Sequence, residues 1–433
     1  MAPTWSMLCF ETFGIRITLC VRSATSLSSA LYIMAKPQAK FKLASVKAPV
    51  IVQILPALVR GGVERGTVEM ARAIQAAGGR AVVISSGGPL VRHIERFGGK
   101  HIKLPVHVKN PLRWPGLRHQ MRAILTAEDA DIVHVRSRVP AWIALSVAKA
   151  LRIATISTVH SRFTAKSFFK RRYNAKLLDA GQVIAISNYV HDLITSQYIG
   201  VEDRLTVVHR GVDTDVFDPA AVSQARIINF ADSIALPEDV PVIMMPARAS
   251  LWKGHHILLD ALAKLDDMRF VCLFVGAQDG KASFVQALTA AAKSRGLEGR
   301  FRLTPVVDDM PAALMVADVV AMPSITPEPF GRVALEAQAM GRPIVAFAHG
   351  GAVESIQHGE TGWLATPGDA DSLAENLRIA LSLKPLARKA FAAKARAHIN
   401  AHFSTQRMCD ETLKIYRRML AKNQKNSAAR RTS

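Results

Sequence analysis

A chain of 433 residues, 49% hydrophobic and 21% charged, has the length for two or three domains and a composition that excludes an intrinsically disordered protein. Lysine and arginine number 56 against 34 acidic residues, a formal net charge of +22, which implies an anionic partner: nucleic acid, acidic lipid or a phosphorylated substrate. Four cysteines (Cys9, Cys20, Cys272 and Cys409) without C-x-x-C spacing argue against a zinc framework and suit a reducing compartment, and no apolar run of about 18 residues could span a bilayer.

Residues 1 to 46 mix Cys, Ser, Thr and scattered apolar residues before a Lys-rich end. Glu11, Arg16 and Arg22 interrupt the apolar core that a secretory signal needs. This stretch is expected to be a leader without fold, or an over-long start with Met34 opening the natural chain. VIVQIL (50–55) then reads as a buried parallel strand. Gly61 and Gly62 break the chain, and Val68, Met70, Ala71 and Ile74 take up a helical period that Gly78 and Gly79 close. A strand, a Gly-Gly turn and a helix let backbone N–H groups approach an anion or a sugar. The turn is not G-x-G-x-x-G, so a dinucleotide fingerprint is absent.

DIVHVRS, AWIALSVAKAL and ATISTVHS continue the alternation and predict a doubly wound α/β domain whose ligands lie beyond the carboxyl ends of its strands. His160 stands at such an end. Next, Arg162, Lys166, Lys170, Arg171, Arg172 and Lys176 interleave with Phe163, Phe168, Phe169 and Tyr173. That pattern reads as a membrane-surface helix or a nucleic-acid contact; the alternative is a solvated basic helix with its aromatics in the core. GQVIAIS is a further strand ending at Ser187, and the GVD turn, Gly211 to Asp213, closes the first half.

The second half restarts with VPVIMMPARASLWKGHHILL: strand, Pro-Ala, basic loop, helix, echoing ILPALVRGG. Two similar α/β domains, 47–218 and 219–403, with a cleft between them are expected. Arg248 follows the strand and Lys253-Gly254 opens the helix. Two cations five residues apart suit a pyrophosphate, Arg as a fork and Lys as a point charge.

The most informative stretch is 323–351, PSITPEPFGRVALEAQAMGRPIVAFAHGG. Its prolines disfavour helix. Val333, Leu335, Ala339 and Met340 then give a helix stopped by Gly341 and Pro343, and Ile344 to Ala348 a buried strand. With a helix starting near Phe330, its first N–H groups face the loop that carries Glu328, an anion site. Glu336 falls roughly a turn and a half in, at about 3.6 residues per turn, within reach of another part of the ligand. Two solvated glutamates on a surface helix would be the plainer outcome.

The pattern PEPFG…LEA…G-x-P resembles the Glu-x7-Glu signature of retaining, nucleotide-sugar-dependent glycosyltransferases of the GT-B fold, glycosyltransferase family 4, and the likeness runs from about 48 to 420. It implies two Rossmann-like domains, with a last helix at 404–421 packing back on the first; the polar, basic tail at 422–433 is expected by its composition to be disordered. It implies hexosyl transfer from a UDP- or GDP-sugar with retention, without metal or other cofactor. In that family Arg248 and Lys253 would hold the diphosphate and Glu336 the ribose. Glu328 and the backbone of Phe330, Gly331 and Arg332 would hold the sugar, Gly61 and Gly62 the donor or acceptor, and His160 the sugar from the other side. A basic helix where Lys166, Phe169, Lys170, Arg171 and Arg172 lie would dock on the cytoplasmic face of the inner membrane. Many relatives carry an apolar or small residue where this chain has Arg332, and the Arg variant resembles lipopolysaccharide-core transferases with phosphorylated or lipid-linked acceptors. An epimerase or phosphorylase on the same fold, and a basic nucleic-acid-binding protein, are the alternatives.

Overall fold

The computed structural model describes residues 6–12, 15–21, 48–59, 61–164 and 167–429, with side chains only between residues 48 and 424. It forms two compact units, residues 1–38 and 39–433. In the first, β1 (Ser6–Thr12) and β2 (Ile15–Val21) pair antiparallel, with Ser6 opposite Val21. This corrects the expectation of a leader wholly without structure. β2 carries Ile15, Ile17, Thr18 and Val21 and β1 carries Phe10 and Thr12, residues that favour the extended chain. Met34 lies outside the described residues.

The second unit holds two parallel sheets. β3 (Val50–Ile54), β4 (Arg80–Ser85), β5 (Lys100–Lys103), β6 (Ile132–Val135), β7 (Ala154–Val159), β8 (Gln182–Ala185) and β9 (Leu205–Val207) form the first, in the order β5-β4-β3-β6-β7-β8-β9. β10 (Val242–Pro246), β11 (Val271–Val275), β12 (Phe301–Thr304), β13 (Val319–Met322), β14 (Ile344–Phe347) and β15 (Trp363–Ala365) form the second, in the order β12-β11-β10-β13-β14-β15. The central strands are buried along their length and, Gln53 and His134 apart, apolar, as helices on both faces require. The strands not anticipated from sequence, β5, β9 and β15, are short edge strands, for which KHIK, LTV and WLA offer no long apolar run.

In each sheet the chain runs outward from a central strand, then returns and builds the other way. The order reverses between β3 and β6 and again between β10 and β13. A crevice opens at each reversal, beyond the carboxyl ends of the strands. The loops after these strands therefore decide what the protein binds.

The helix Thr405–Ala429 packs on the first sheet, with Met408, Leu413 and Tyr416 in one core with Ile51 and Ile156. The Tyr416 hydroxyl lies 2.6 Å from His134 Nδ1, whose Nε2 is 2.7 Å from Thr158 Oγ1. The helix continues well past 421, correcting the expectation of an unfolded tail from 422. KNQKNSAA contains neither Gly nor Pro to stop it. Residues 430–433 lie outside the described ones.

Candidate active site

β10 leads through a basic loop and the turn Leu251–Lys253 into the helix His255–Ala263. Between them Gly254 is left-handed, φ 85°, and any side chain there would collide with the Pro323 carbonyl. The loop after β10 thus lies hard against the loop after β13, and the Ile325 N–H bonds the Trp252 carbonyl at 2.8 Å. This approach brings Lys253 Nζ to 2.6 Å from Glu328 Oε1, with both side chains largely buried. Ser324 Oγ donates to the same oxygen at 2.5 Å, and the Lys253 ammonium sits 4.3 Å from the centre of the Trp252 ring.

Beside this pair opens a cavity of about 440 Å³ lined by Arg248, Trp252, Lys253 and Lys281, among others. Lys281 adds a third cation that the sequence reading passed over. The signal available was a lysine straight after Gly280, at the cap of the helix Ala282–Lys293. Asp279 accepts from the Val306 N–H at 2.6 Å, which ties the loops after β11 and β12 across the cavity rim.

Glu328 is held by backbone as well as by Lys253. A side chain on Gly350 would strike the Glu328 backbone, and one on Gly351 would strike Phe330. The Gly351 N–H donates to the Glu328 carbonyl at 2.9 Å, and His349 Nε2 lies 2.7 Å from the Ser324 carbonyl. The glycine pair after β14 was thus a site signal without an assigned role. The helix begins at Arg332 rather than near Phe330, because Gly331 is left-handed at φ 86° and cannot join a right-handed helix. Glu336 lies one turn along it, ion-paired to Arg332 at 2.9 Å.

The first sheet supplies the facing wall. Gly61 caps the helix Gly62–Ala76, with Glu64 folded back over it. Arg332 crosses from the second half to pack on Gly62: a side chain there would stand 3.3 Å from Arg332 Cδ. Buried Arg210, which the sequence reading did not single out, donates to the Gly62 carbonyl and occupies the room left by Gly66. His160 follows β7, with its Nε2 buried and without a partner among the described residues. Burial, and then the charges of Arg210 and Arg136, hold its imidazole well below the ordinary value, so it is neutral at physiological pH.

The two halves are joined directly behind Glu328. Ser187 Oγ donates to the Pro329 carbonyl at 2.6 Å. From the second half, Glu354 accepts the Asn188 and Tyr189 N–H groups at 2.8 and 2.7 Å, capping the helix Asn188–Thr195 of the first, and lies 2.8 Å from His209 Nε2.

The family profile described as "Glycosyltransferase Family 4" matches residues 60–216, and that described as "Glycosyl transferases group 1" matches 227–398. The crystal structure of a glycosyltransferase from Rickettsia africae is 34% identical, covers 86% of this chain and 99% of its own, and superposes with a TM-score of 0.79. The chain belongs to the GT-B glycosyltransferases. Anabaena HepE, solved in complex with UDP-glucose, shares this glycosyltransferase fold at 24% identity and a TM-score of 0.72, over 85% of this chain and 98% of that one. The D-inositol 3-phosphate glycosyltransferase of Mycobacterium avium is 35% identical over 219 residues, 50% of each protein. This glycosyltransferase therefore spans about half the length of the curated relatives it matches.

Away from the cleft, the glycosyltransferase carries its basic segment as the helix Phe168–Ala175. Phe168 and Phe169 are 72% and 82% exposed, next to exposed Lys170, Arg171 and Arg172, while Phe163 is in the core. Arg171 turns partly inward, bonding the Gln197 carbonyl and covering Tyr198. Lys166 lies outside the described residues. Among the described residues no helix is long and apolar enough to cross a membrane.

Proposed function

We propose that this glycosyltransferase moves a hexosyl group from a nucleoside-diphosphate sugar to a lipid-linked or lipopolysaccharide-core saccharide of the cell envelope, with retention of anomeric configuration. The observation that carries this reading is the cation-lined cavity beyond the carboxyl ends of β10, β11 and β12, whose Lys253 also holds Glu328. The diphosphate would sit against Arg248, Lys253 and Lys281, Glu336 would take the ribose hydroxyls, and Glu328 with the backbone at Phe330 and Gly331 the hexose. His160, neutral, offers a hydrogen bond to the sugar without adding positive charge beside the forming oxocarbenium centre. The reaction would run on one face of the sugar, its barrier lowered chiefly where negative charge grows on the departing diphosphate. Fixed guanidinium and ammonium groups can supply that stabilisation without a metal.

A thermal-shift panel of UDP- and GDP-sugars tests the reading. A donor at 100 times its Kd adds about 2.7 kcal/mol of stability, and the UDP-glucose bound by the Anabaena structure is the first probe. Failure of every nucleotide sugar to stabilise the protein would overturn it. The exposed Phe168 and Phe169 beside basic residues support peripheral docking on an anionic membrane surface. The protein is expected to float with vesicles containing phosphatidylglycerol and not with neutral ones, and Phe168→Ser with Phe169→Ser to weaken flotation. Equal binding to both vesicle types, or to neither, would sink the docking proposal.

A further inference from the structure

A second group of cations lies outside the donor cavity. Arg136 and Arg210 of the first half are only 6% and 4% exposed, and Arg332 reaches Arg210 from the second half with 24% of its side chain exposed. Arg332 Nη1 and Arg210 Nη2 stand 3.6 and 3.9 Å from one point, where a side chain on Gly62 would begin. Two guanidiniums this close in a buried place oppose each other's charge, and Arg210 is accordingly pushed down to about 10, by burial first. Arg136 Nε, Arg210 Nη1 and Arg332 Nε are buried without a hydrogen-bond partner among the described residues. Buried donors are normally satisfied, so the two left over on Arg210 and Arg332, which meet at Gly62, need a cause.

The carboxylates nearby do not meet this need. Glu336 is engaged by Arg332, and Asp213 Oδ1 accepts the N–H groups of Asp215 and Val216 in its own turn. Glu64 folds over Gly61. Glu69 remains, with Oε2 itself unbonded, and burial pushes its carboxyl up against the pull of Arg210 and Arg332. None of the three arginines lines the donor cavity, which has its own cations. A guanidinium is a planar fork that matches phosphate or carboxylate oxygens.

We infer that Arg332 and Arg210 form an oxyanion subsite for a phosphate or carboxylate carried by the acceptor, separate from the donor's diphosphate site and with Arg332 at its mouth. The inference rests on the glycosyltransferase reading for the word acceptor; the anion binding itself does not. It makes Arg332 a specificity residue, selecting acceptors by charge. Arg332 also releases Glu336 when it turns to the anion, so a charged acceptor favours donor binding.

Calorimetry on the full chain saturated with UDP tests it, using glucose 6-phosphate, glucuronate and neutral glucose as probes. At least one of the two anions is expected to bind and glucose not to, the tighter anion naming the group recognised. Arg332→Leu should weaken that anion about tenfold or more, the effect of losing a hydrogen bond to a charged group, and should tighten UDP, because Glu336 is then free without the anion. Arg332 is partly exposed, so this variant is chosen over buried Arg210, and an unchanged melting temperature confirms that it folds. No anion binding, equal binding of glucose, or anion binding indifferent to Arg332→Leu would each overturn the subsite. Displacement of the anion by UDP would also overturn it, by assigning the anion to the diphosphate site. If UDP itself does not bind, the functional reading fails, while the dependence of anion binding on Arg332 is still read without nucleotide.

Discussion

Replacing Lys253 with alanine is expected to lower kcat by about a hundred- to a thousandfold, the usual effect of removing one fixed group that stabilises growing charge. Two losses combine. On the proposed reading the diphosphate loses one of the three cations that line its cavity, and Glu328 loses its partner at 2.6 Å, keeping only Ser324 Oγ on that oxygen. A carboxylate left unpaired in a buried place is also costly to the fold, by about 3–5 kcal/mol when one member of a buried pair is removed. Stability and catalysis therefore part company in a defined way. Lys253→Ala should melt well below the wild type. Adding Glu328→Ala should recover much of that melting temperature without restoring kcat. A single variant with kcat within about fivefold of wild type would show that Lys253 does not bear on the leaving group.

The second large effect is expected at Glu354, which joins the two halves. Glu354→Ala removes the carboxylate that accepts Asn188 N, Tyr189 N and Asn188 Nδ2, at 2.8, 2.7 and 3.0 Å, and leaves those two N–H groups of the first turn of the helix Asn188–Thr195 without an acceptor, while Ser187 Oγ still takes the Val190 N–H. A hydrogen bond to a charged group is worth about 1.5–3 kcal/mol and the orphaned N–H groups add to the loss, so a destabilisation of about 2–4 kcal/mol is expected in urea unfolding. The effect carries a pH signature. Burial raises the Glu354 carboxyl, but the bonds from His209, Tyr189 N and Asn188 N outweigh it and hold the group below its ordinary 4.5. A carboxyl held down in the fold contributes stability that is present above its unfolded value and disappears as pH falls through the folded one. The gap between wild type and Glu354→Ala should be full at pH 7 and should narrow below about pH 4.5. A gap that does not change with pH would mean that the charge of Glu354 is not what joins the halves. Because Ser187 grips Pro329 beside the same joint, a rise in donor KM is expected to accompany the loss of stability.

Much of this molecule is legible in its residues, and the limits of that legibility have a physical origin. Apolar, β-branched runs separated by helical periods determine the strands at the centre of both sheets, because a strand buried on both faces needs an unbroken apolar run. Short edge strands carry no such demand, and β5, β9 and β15 leave no mark. Arg248, Lys253, Glu328 and Glu336 stand out because strand-to-helix turns place charged residues at fixed offsets from the strand end, and those offsets are local. Contacts across the chain are not local. Lys253 meets Glu328 from 75 positions away because the sheet order sets β10 beside β13, and Gly254 and the Gly350–Gly351 pair let the two loops touch. Glu354 reaches Asn188 over 166 positions, and Arg332 reaches Gly62 across the cleft. Local pattern, read from the sequence, determined the elements and the kinds of charge at their ends. Which charge faces which, and which buried donors are left without a partner, was decided only when the loops and helices of two separately wound halves came together, since that packing depends on strand order and close backbone approach that no local run of residues records.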